Sequence, residues 1–385
     1  MANLSQKSKQ NGLFQSGRLD ITFLSLVLIL LTIGLVMLFS ASYAYSLEYY
    51  DNSYKFIVKQ ALFAGAGLLA LFVTSRINYH FWRKISWVVY IGTAFVLLLL
   101  LILPPMVSGM SVKRWFAIGP VTFQPSEIAK FAIIILFSTL IAANQKLMKN
   151  YKFVLFLFGV LGITCLLVVL EPHLSATVLI AAIGVVLIYV GGLDRKVVIL
   201  GIILAVLGVA LVIITQSTGF ISYGADRIKY WLDPWADATG EGFQTIQSLL
   251  AIGSGGVLGR GIGQSRQKYL WVPEPHNDFI FSIVCEELGL IGAIVIIILF
   301  ALLVWRGFTI AMRSSDKFGS MLAIGLTFQV GLQAMLNIWV VTNTIPNTGI
   351  SLPFFSYGGT SLLILLAEMG IVLSVSRGAN VEKVK

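Results

Sequence analysis

Charge is scarce in this chain. Only 11% of its 385 residues are Asp, Glu, Lys or Arg, against 57% that are hydrophobic, and the mean hydropathy is +0.90. Such a composition excludes an ordinary soluble globular protein, in which about a quarter of the residues are charged. Cysteine is rarer still. Cys165 and Cys285 both fall in apolar runs, with neither a CxxC nor any metal-ligand spacing, and they leave the redox compartment unspecified. The sequence also lacks a fixed-period repeat, a low-complexity tract and a soluble domain.

What it has in quantity is apolar runs. About 20 apolar residues cross the roughly 30 Å hydrocarbon layer as a helix. Ten such runs occur, at 21–42, 56–75, 85–104, 127–143, 153–170, 174–191, 196–215, 278–305, 319–342 and 360–376. The expected fold is therefore an all-α polytopic membrane protein of ten transmembrane helices, occupying 20–376 between a polar tail at 1–19 and a short tail at 377–385. The first run is too long for a signal peptide and reads as an uncleaved anchor. Most of the 27 basic residues lie in the two tails (Lys7, Lys9 and Arg18; Arg377, Lys383 and Lys385) and in alternate short connections: Arg76, Arg83 and Lys84; Lys146, Lys149 and Lys152; Arg195 and Lys196; Arg306, Arg313 and Lys317. Because cytoplasmic loops retain positive charge, both termini are expected in the cytoplasm. The net charge of +10 then follows from topology and anionic lipid, with no nucleic acid required.

One connection is unusual. Residues 216–277, between the seventh and eighth runs, form a large extracytoplasmic loop, far longer than bundle connections usually are. Within it Phe243, Ile246, Leu249, Leu250 and Ile252 recur at helical spacing, which predicts an amphipathic helix on the membrane surface. The glycines from Gly253 to Gly263 do not make a nucleotide-binding loop: Leu258 and Gln264 stand where the third glycine is needed, and no G-K-[ST] follows. Flexible or closely approached backbone is the better account of them.

Spans four, six, eight and ten each begin near a proline, Pro125, Pro172, Pro275 or Pro353, in polar company: Glu127, Glu171, His173 and Asp278, with Lys113 and Arg114 upstream. Proline suits a first helical turn, and helix N-termini favour anionic groups. Charges at such positions are expensive in a membrane and tend to mark function.

The stretches "RWFAIGPVTFQPSEIAK", "YWLDPWAD", "GFQTIQSLLAIGSGG", "PEPHNDFIFSIVCEELG" and "NTGISLPFFSYGGTSLL" resemble the shape, elongation, division and sporulation family, the FtsW, RodA and SpoVE proteins. "LDPWAD" and "PEPHNDFIF" are more similar to the FtsW and SpoVE branch. The resemblance implies a ten-span glycosyltransferase of the bacterial cytoplasmic membrane that polymerises lipid II into peptidoglycan on the outer face. It also implies a class B penicillin-binding protein as transpeptidase partner, alongside other division or elongation proteins. The family's essential acid in the outer loop lands on Asp278, its basic-aromatic pair on Arg114 and Trp115, and its "SEIAK" charge pair on Glu127 and Lys130. Where relatives commonly read "QPDLGTA" this chain has "EPHLSAT", so Glu171 and His173 replace an amide and a carboxylate.

Such a reaction needs one carboxylate to take a proton from the attacking hydroxyl and cations to hold the leaving pyrophosphate. Asp278 is the candidate base; as a rival role it caps span eight. Arg114, Arg227, Lys229, Arg260, Arg266 and Lys268 are the outer cations, with Arg114, Arg227 and Lys268 favoured. His276 and Ser356 complete the candidate substrate contacts, although the "PFFSYGGTS" around Ser356 also reads as a tight turn. Glu127 and Lys130, three apart on one helix, fit a structural ion pair as well as a substrate contact. Whether a divalent cation, Mg or Mn, shares the work stays open, with Asp278, Glu274 and His276 as its plausible ligands. A lipid II flippase and a non-enzymatic scaffold of the cell-wall machinery are the competing functions.

Overall fold

The computed structural model describes residues 17–103, 114–118, 121–194, 229–240 and 242–378. The first helix, α1, is Ile21–Tyr50; Asp20 starts it by accepting the Phe23 amide at 2.9 Å, and it stops where Asp51 turns left-handed at φ 52°. α2 (Lys55–Arg76) and α3 (His80–Ile102) follow. An antiparallel hairpin of β1 (Phe116–Ile118) and β2 (Val121–Phe123) leads into α4 (Pro125–Ala143), with its proline in the first turn. Next come α5 (Tyr151–Leu170) and α6 (Leu174–Val190), then α7 (Phe243–Gly255) and α8 (Ile280–Met312), and last α9 (Lys317–Val341) and α10 (Gly359–Gly378).

Among the described residues eight helices are long and apolar enough to cross a membrane, and α6 is a further apolar helix of 17 residues. Each coincides with one of the expected spans. The seventh, 196–215, lies outside the described residues, as does Arg227. The chain is thus a predominantly helical, polytopic membrane protein. The hairpin departs from an all-α reading. Its strands are three residues each, too short for an alternating pattern, and stacking of Phe116 on Phe123 at 5.5 Å accompanies their pairing.

Two further departures concern α7, α8 and the segment between them. α7 turns its small and polar face, Thr245, Ser248, Ala251 and Gly255, against the bundle, with Ser248 Oγ donating to the Val341 carbonyl at 2.9 Å, whereas Leu249 and Leu250 are exposed. The apolar stripe is therefore split, with Ile246 buried beside the small and polar residues and Leu249 and Leu250 turned away. α8, expected as an unbroken span, is interrupted at Gly289 (φ 67°, ψ −170°). The segment after α7 fills the break: the amides of Arg260 and Gly261 donate to the Glu286 and Glu287 carbonyls at 3.0 Å, and those of Leu290 and Ile291 donate to Gly256 and Val257 at 3.0 and 3.2 Å. In a bilayer, groups freed by a helix break need protein partners, and the glycine-rich loop supplies them. A Cβ at Gly259 or Gly289 would collide with the opposing backbone, so these two glycines are there for close approach.

Helices in lipid are drawn together by close packing and interhelical hydrogen bonds. α2 and α10 meet this way: Gly67 faces Leu366, Gly370 faces the Leu71 backbone, and Thr74 Oγ1 donates to the Ala367 carbonyl at 2.9 Å. One end of the bundle gathers the chain's two ends. Arg306 grips Asp20 at 2.8 Å, the Asp20 amide donates to Ser376 Oγ, and Arg377 donates to the Gly17 carbonyl at 3.0 Å. Asp278, immediately before α8, is at the other end, since Arg306 lies near the last turns of that helix.

Candidate active site

A cavity of about 590 Å³ opens between α2, the β-hairpin, α4, α9 and α10, with the loops around residues 274–278 and 349–358 closing it. Apolar side chains such as Phe63, Leu352 and Leu365 line part of it; Arg114, Trp115, Glu127, Asp278 and Ser356 line the rest, along with His173, Glu274 and Lys59. Five of the sequence-predicted site residues thus share one cavity.

Asp278 is half-buried in the turn before α8. The Asn337 amide nitrogen fixes that turn by donating to the Asp278 carbonyl at 2.7 Å and the Ile350 carbonyl at 2.6 Å. The N-cap position of α8 belongs to Phe279, with no side-chain cap bond, so the capping role weighed for Asp278 is not the one built here. Its carboxylate lies beside Gly349, where a Cβ would come within 3.1 Å of Oδ2. Gly349 has φ +68°, so the close approach and the left-handed backbone both demand glycine. Glu274 and Phe354, both lining residues, also take positive φ, a strain of about 1–3 kcal/mol each that rigid surroundings must hold.

Lys130 is almost wholly buried on α4, its ammonium held by Glu127 at 2.9 Å and by Gln333 Oε1 at 3.0 Å. The "SEIAK" pair is therefore an ion pair whose carboxylate member faces the cavity. Arg114 donates to the Pro172 carbonyl, which fixes its guanidinium over the α5–α6 turn. Ser356 Oγ accepts the Leu352 amide at 2.7 Å, so the turn reading of "PFFSYGG" and its place in the cavity wall both hold.

Two expected substrate contacts need correction. Lys268 is 3% exposed and lies away from the cavity lining; its ammonium reaches Glu287 at 3.0 Å, Ser40 Oγ at 3.1 Å and the Gly263 carbonyl at 2.6 Å. A cation so enclosed is spent on anchoring the loop. His276 is likewise turned away, its ring packed 4.9 Å from Tyr45, 4.2 Å from Phe56 and 5.8 Å from Tyr357, and its carbonyl accepting the Tyr357 amide at 2.8 Å. Burial lowers its pKa to about 4, so the ring is neutral at ordinary pH. The three ligands considered for a divalent cation accordingly do not converge, and among the described residues no group of three or more His, Cys, Asp or Glu is arranged for a metal.

Where the "EPHLSAT" turn meets the hairpin, His173 Nδ1 lies 3.2 Å from Ser126 Oγ and 3.3 Å from the Gln124 amide nitrogen. Burial lowers its pKa to about 3, with Arg114 and Lys130 adding to the effect. Burial raises that of Glu171 to about 8 despite the opposing pull of Arg114, and neither Glu171 oxygen has a hydrogen-bond partner.

Sequence reasoning missed Lys59, Gln329 and Gln333 as lining residues; Glu368 lines the cavity beside them. Gln329 and Gln333 carried a readable signal, two amides four apart in an apolar helix, hence on one face. Gln329 Nε2 donates to Glu368 Oε2 at 3.0 Å, which leaves Gln329 Oε1 and Glu368 Oε1 as buried acceptors without partners.

The family described as cell cycle protein, comprising FtsW, RodA and SpoVE, matches residues 21–381. Among curated proteins, stage V sporulation protein E of Bacillus subtilis (strain 168) is 40% identical over 361 residues, 93% of this chain and 97% of that protein. A probable peptidoglycan glycosyltransferase FtsW of Geobacter sp. (strain M18) is 36% identical over 366 residues, 94% of this chain and 98% of that protein. Among solved structures, a chain from a study of the structural coordination of polymerization and crosslinking by a peptidoglycan synthase complex superposes with a TM-score of 0.78 at 26% identity, covering 94% of this chain and 99% of that one. The Thermus thermophilus rod shape determining protein RodA shares the fold, with a TM-score of 0.67 at 24% identity over 94% of this chain and 98% of that one.

Proposed function

The chain belongs to the FtsW, RodA and SpoVE family of cell cycle proteins, and from that membership we propose that it is a membrane peptidoglycan glycosyltransferase. Its substrate is lipid II, its product a β-1,4-linked glycan strand, and its cavity opens to the outside of the bacterial cytoplasmic membrane. The observation that carries this reading is the convergence of Asp278, Arg114 and Glu127 on one polar cavity, at the end of the bundle remote from Asp20 and Arg377.

The chemistry asks little more than that cavity offers. Asp278 takes the proton from the sugar hydroxyl as its oxygen attacks the anomeric carbon of a second lipid-linked saccharide. The bond to pyrophosphate breaks on the opposite face, so an α-linkage becomes a β-linkage in one displacement with no covalent intermediate. The polyprenyl pyrophosphate leaves with its negative charge, which Arg114 stabilises with a two-pronged guanidinium. Asn337, through the Asp278 carbonyl, and Gly349, by its closeness, keep the carboxylate where it must act. The synthase-complex relative supports a class B penicillin-binding protein as the partner that crosslinks the strand.

Purified protein given labelled lipid II, with and without that partner, should make glycan chains. Asp278→Asn should lower the rate by at least roughly 100-fold, because an amide keeps the shape but cannot accept the proton; polymerisation at the wild-type rate would sink the assignment. Glu368, buried well inside α10 and facing the cavity, is the one feature that suits a lipid II flippase instead. Vesicles that translocate labelled lipid II without forming polymer would favour that reading.

A further inference from the structure

Pyrophosphate recognition needs a cation placed to receive it, and among the described residues several candidates are already engaged elsewhere. Lys130 is held by Glu127 and Gln333, and Lys268 by Glu287. Arg260 lies 3.7 Å from Glu286, away from the cavity, and Arg114, on the cavity lining, spends one donor on the Pro172 carbonyl. Lys59 is different. It lines the cavity and is half-buried, and among the described residues no carboxylate lies within ion-pair distance of it.

Its backbone is pinned on three sides. The neighbouring Gln60 is fully buried, donating to the Ser356 carbonyl and accepting the Gly358 amide, both at 3.2 Å. One turn further along α2, Phe63 packs against Gly359. One turn back, Phe56 meets His276 and Tyr357 with ring centroids 4.2 and 4.8 Å apart, and the Tyr357 amide bonds the His276 carbonyl. His276 is two residues from Asp278, so a single helical stretch ties Lys59 to both the turn carrying the carboxylate and the turn that opens α10. The ammonium thereby stands on a fixed base with a flexible stem, suited to follow a phosphate as its charge grows.

We propose that Lys59 is a pyrophosphate-binding residue of this cavity, acting with Arg114 on the departing polyprenyl pyrophosphate. The proposal rests on the glycosyltransferase reading and adds a cation that sequence patterns did not single out. It also orients the substrate: the anionic group lies by Lys59 and Arg114, and donor-bearing sugar or amide groups turn toward the unpartnered Gln329 Oε1.

The test compares wild type, Lys59→Gln, Lys59→Arg and Lys55→Gln in the labelled lipid II assay. Lys55 sits over the Tyr50 ring, outside the cavity lining, and serves as the charge control. Lys59→Gln should lose roughly 10- to 100-fold in kcat/KM, the worth of a hydrogen bond to a charged group; Lys59→Arg should recover most of it and Lys55→Gln should match wild type. In a second arm, added polyprenyl pyrophosphate should inhibit Lys59→Gln more weakly than wild type, while uncharged polyprenol should act on both alike. Unchanged kcat/KM and unchanged pyrophosphate inhibition in Lys59→Gln would overturn the proposal. So would loss of native folding in that variant, because among the described residues the Lys59 ammonium has no ion-pair partner whose loss would unfold the chain. Failure of the wild type itself to polymerise would strike the glycosyltransferase reading instead.

Discussion

Single residues around the cavity are tuned more by burial than by charge. Burial lowers the pKa of His276 to about 4 and that of His173 to about 3, against an ordinary 6.5. The unfolded imidazoles bind protons that the folded ones refuse, so the stability they contribute is whole above pH 6.5 and drains away as pH falls toward 4. Glu171 behaves oppositely. With its pKa raised from 4.5 to about 8, its contribution is whole below pH 4.5 and is lost as pH climbs through 8. Replacing His276 with Phe should preserve the ring cluster with Tyr45, Phe56 and Tyr357 and shrink the drop in thermal stability between pH 7 and pH 5, measured by unfolding in detergent. Glu171→Gln should flatten the decline between pH 5 and pH 8.5, raising Tm at the alkaline end by roughly 5 °C. A pH profile untouched by either change would mean that these groups titrate alike in both states.

At the scale of elements, the segment between α7 and α8 is bolted to α8 rather than draped over it. Glu286 accepts from Ser265 Oγ at 2.5 Å and from the amides of Arg266 and Gln267 at 2.9 and 3.3 Å; Glu287 holds Lys268 and Ser40 Oγ. Two adjacent buried acids thus fix the loop's path two turns below Asp278, while the Gly289 break receives the glycine-rich segment. Lys268→Met, which strands the Glu287 charge in the interior, should cost about 3–5 kcal/mol. The double variant Lys268→Met/Glu287→Gln should lose less than the sum of the two single changes. Strict additivity in denaturant or thermal unfolding would show that the pair is not coupled. The amphipathic pattern of α7 was readable beforehand, yet the face that docks was not: Ser248 and Gly255 fit against the bundle, and the larger Leu249 and Leu250 do not.

Across the whole molecule, polarity is divided between two ends. Asp20, Arg306 and Arg377 tie the chain's two ends together at one, and the cavity carrying Asp278 opens toward the other. In a background without Cys165 and Cys285, a cysteine placed at Met312, 75% exposed, should react with a membrane-impermeant maleimide only after the cells are opened. One placed at Trp271, 58% exposed in the loop before Asp278, should react from outside. Labelling with the reverse sidedness would invert the orientation and remove the outer-face reaction.

The sequence by itself determined the class of protein, the positions of the nine apolar helices among the described residues, and Asp278, Arg114, Trp115 and Glu127 as residues that come to line one cavity. Those depend on run length, charge bias and local motif, which are properties of neighbouring residues. Only the tertiary structure decided which cations are free. Nothing in the local sequence separates Lys268 from Lys59; a carboxylate 19 positions away claims the first, while among the described residues no carboxylate reaches the second. The break at Gly289, the facing of His276 and the meeting of α2 with α10 likewise depend on segments far apart in sequence, because closing a cavity inside a bilayer is a matter of which distant backbones can approach and whose polar groups they satisfy.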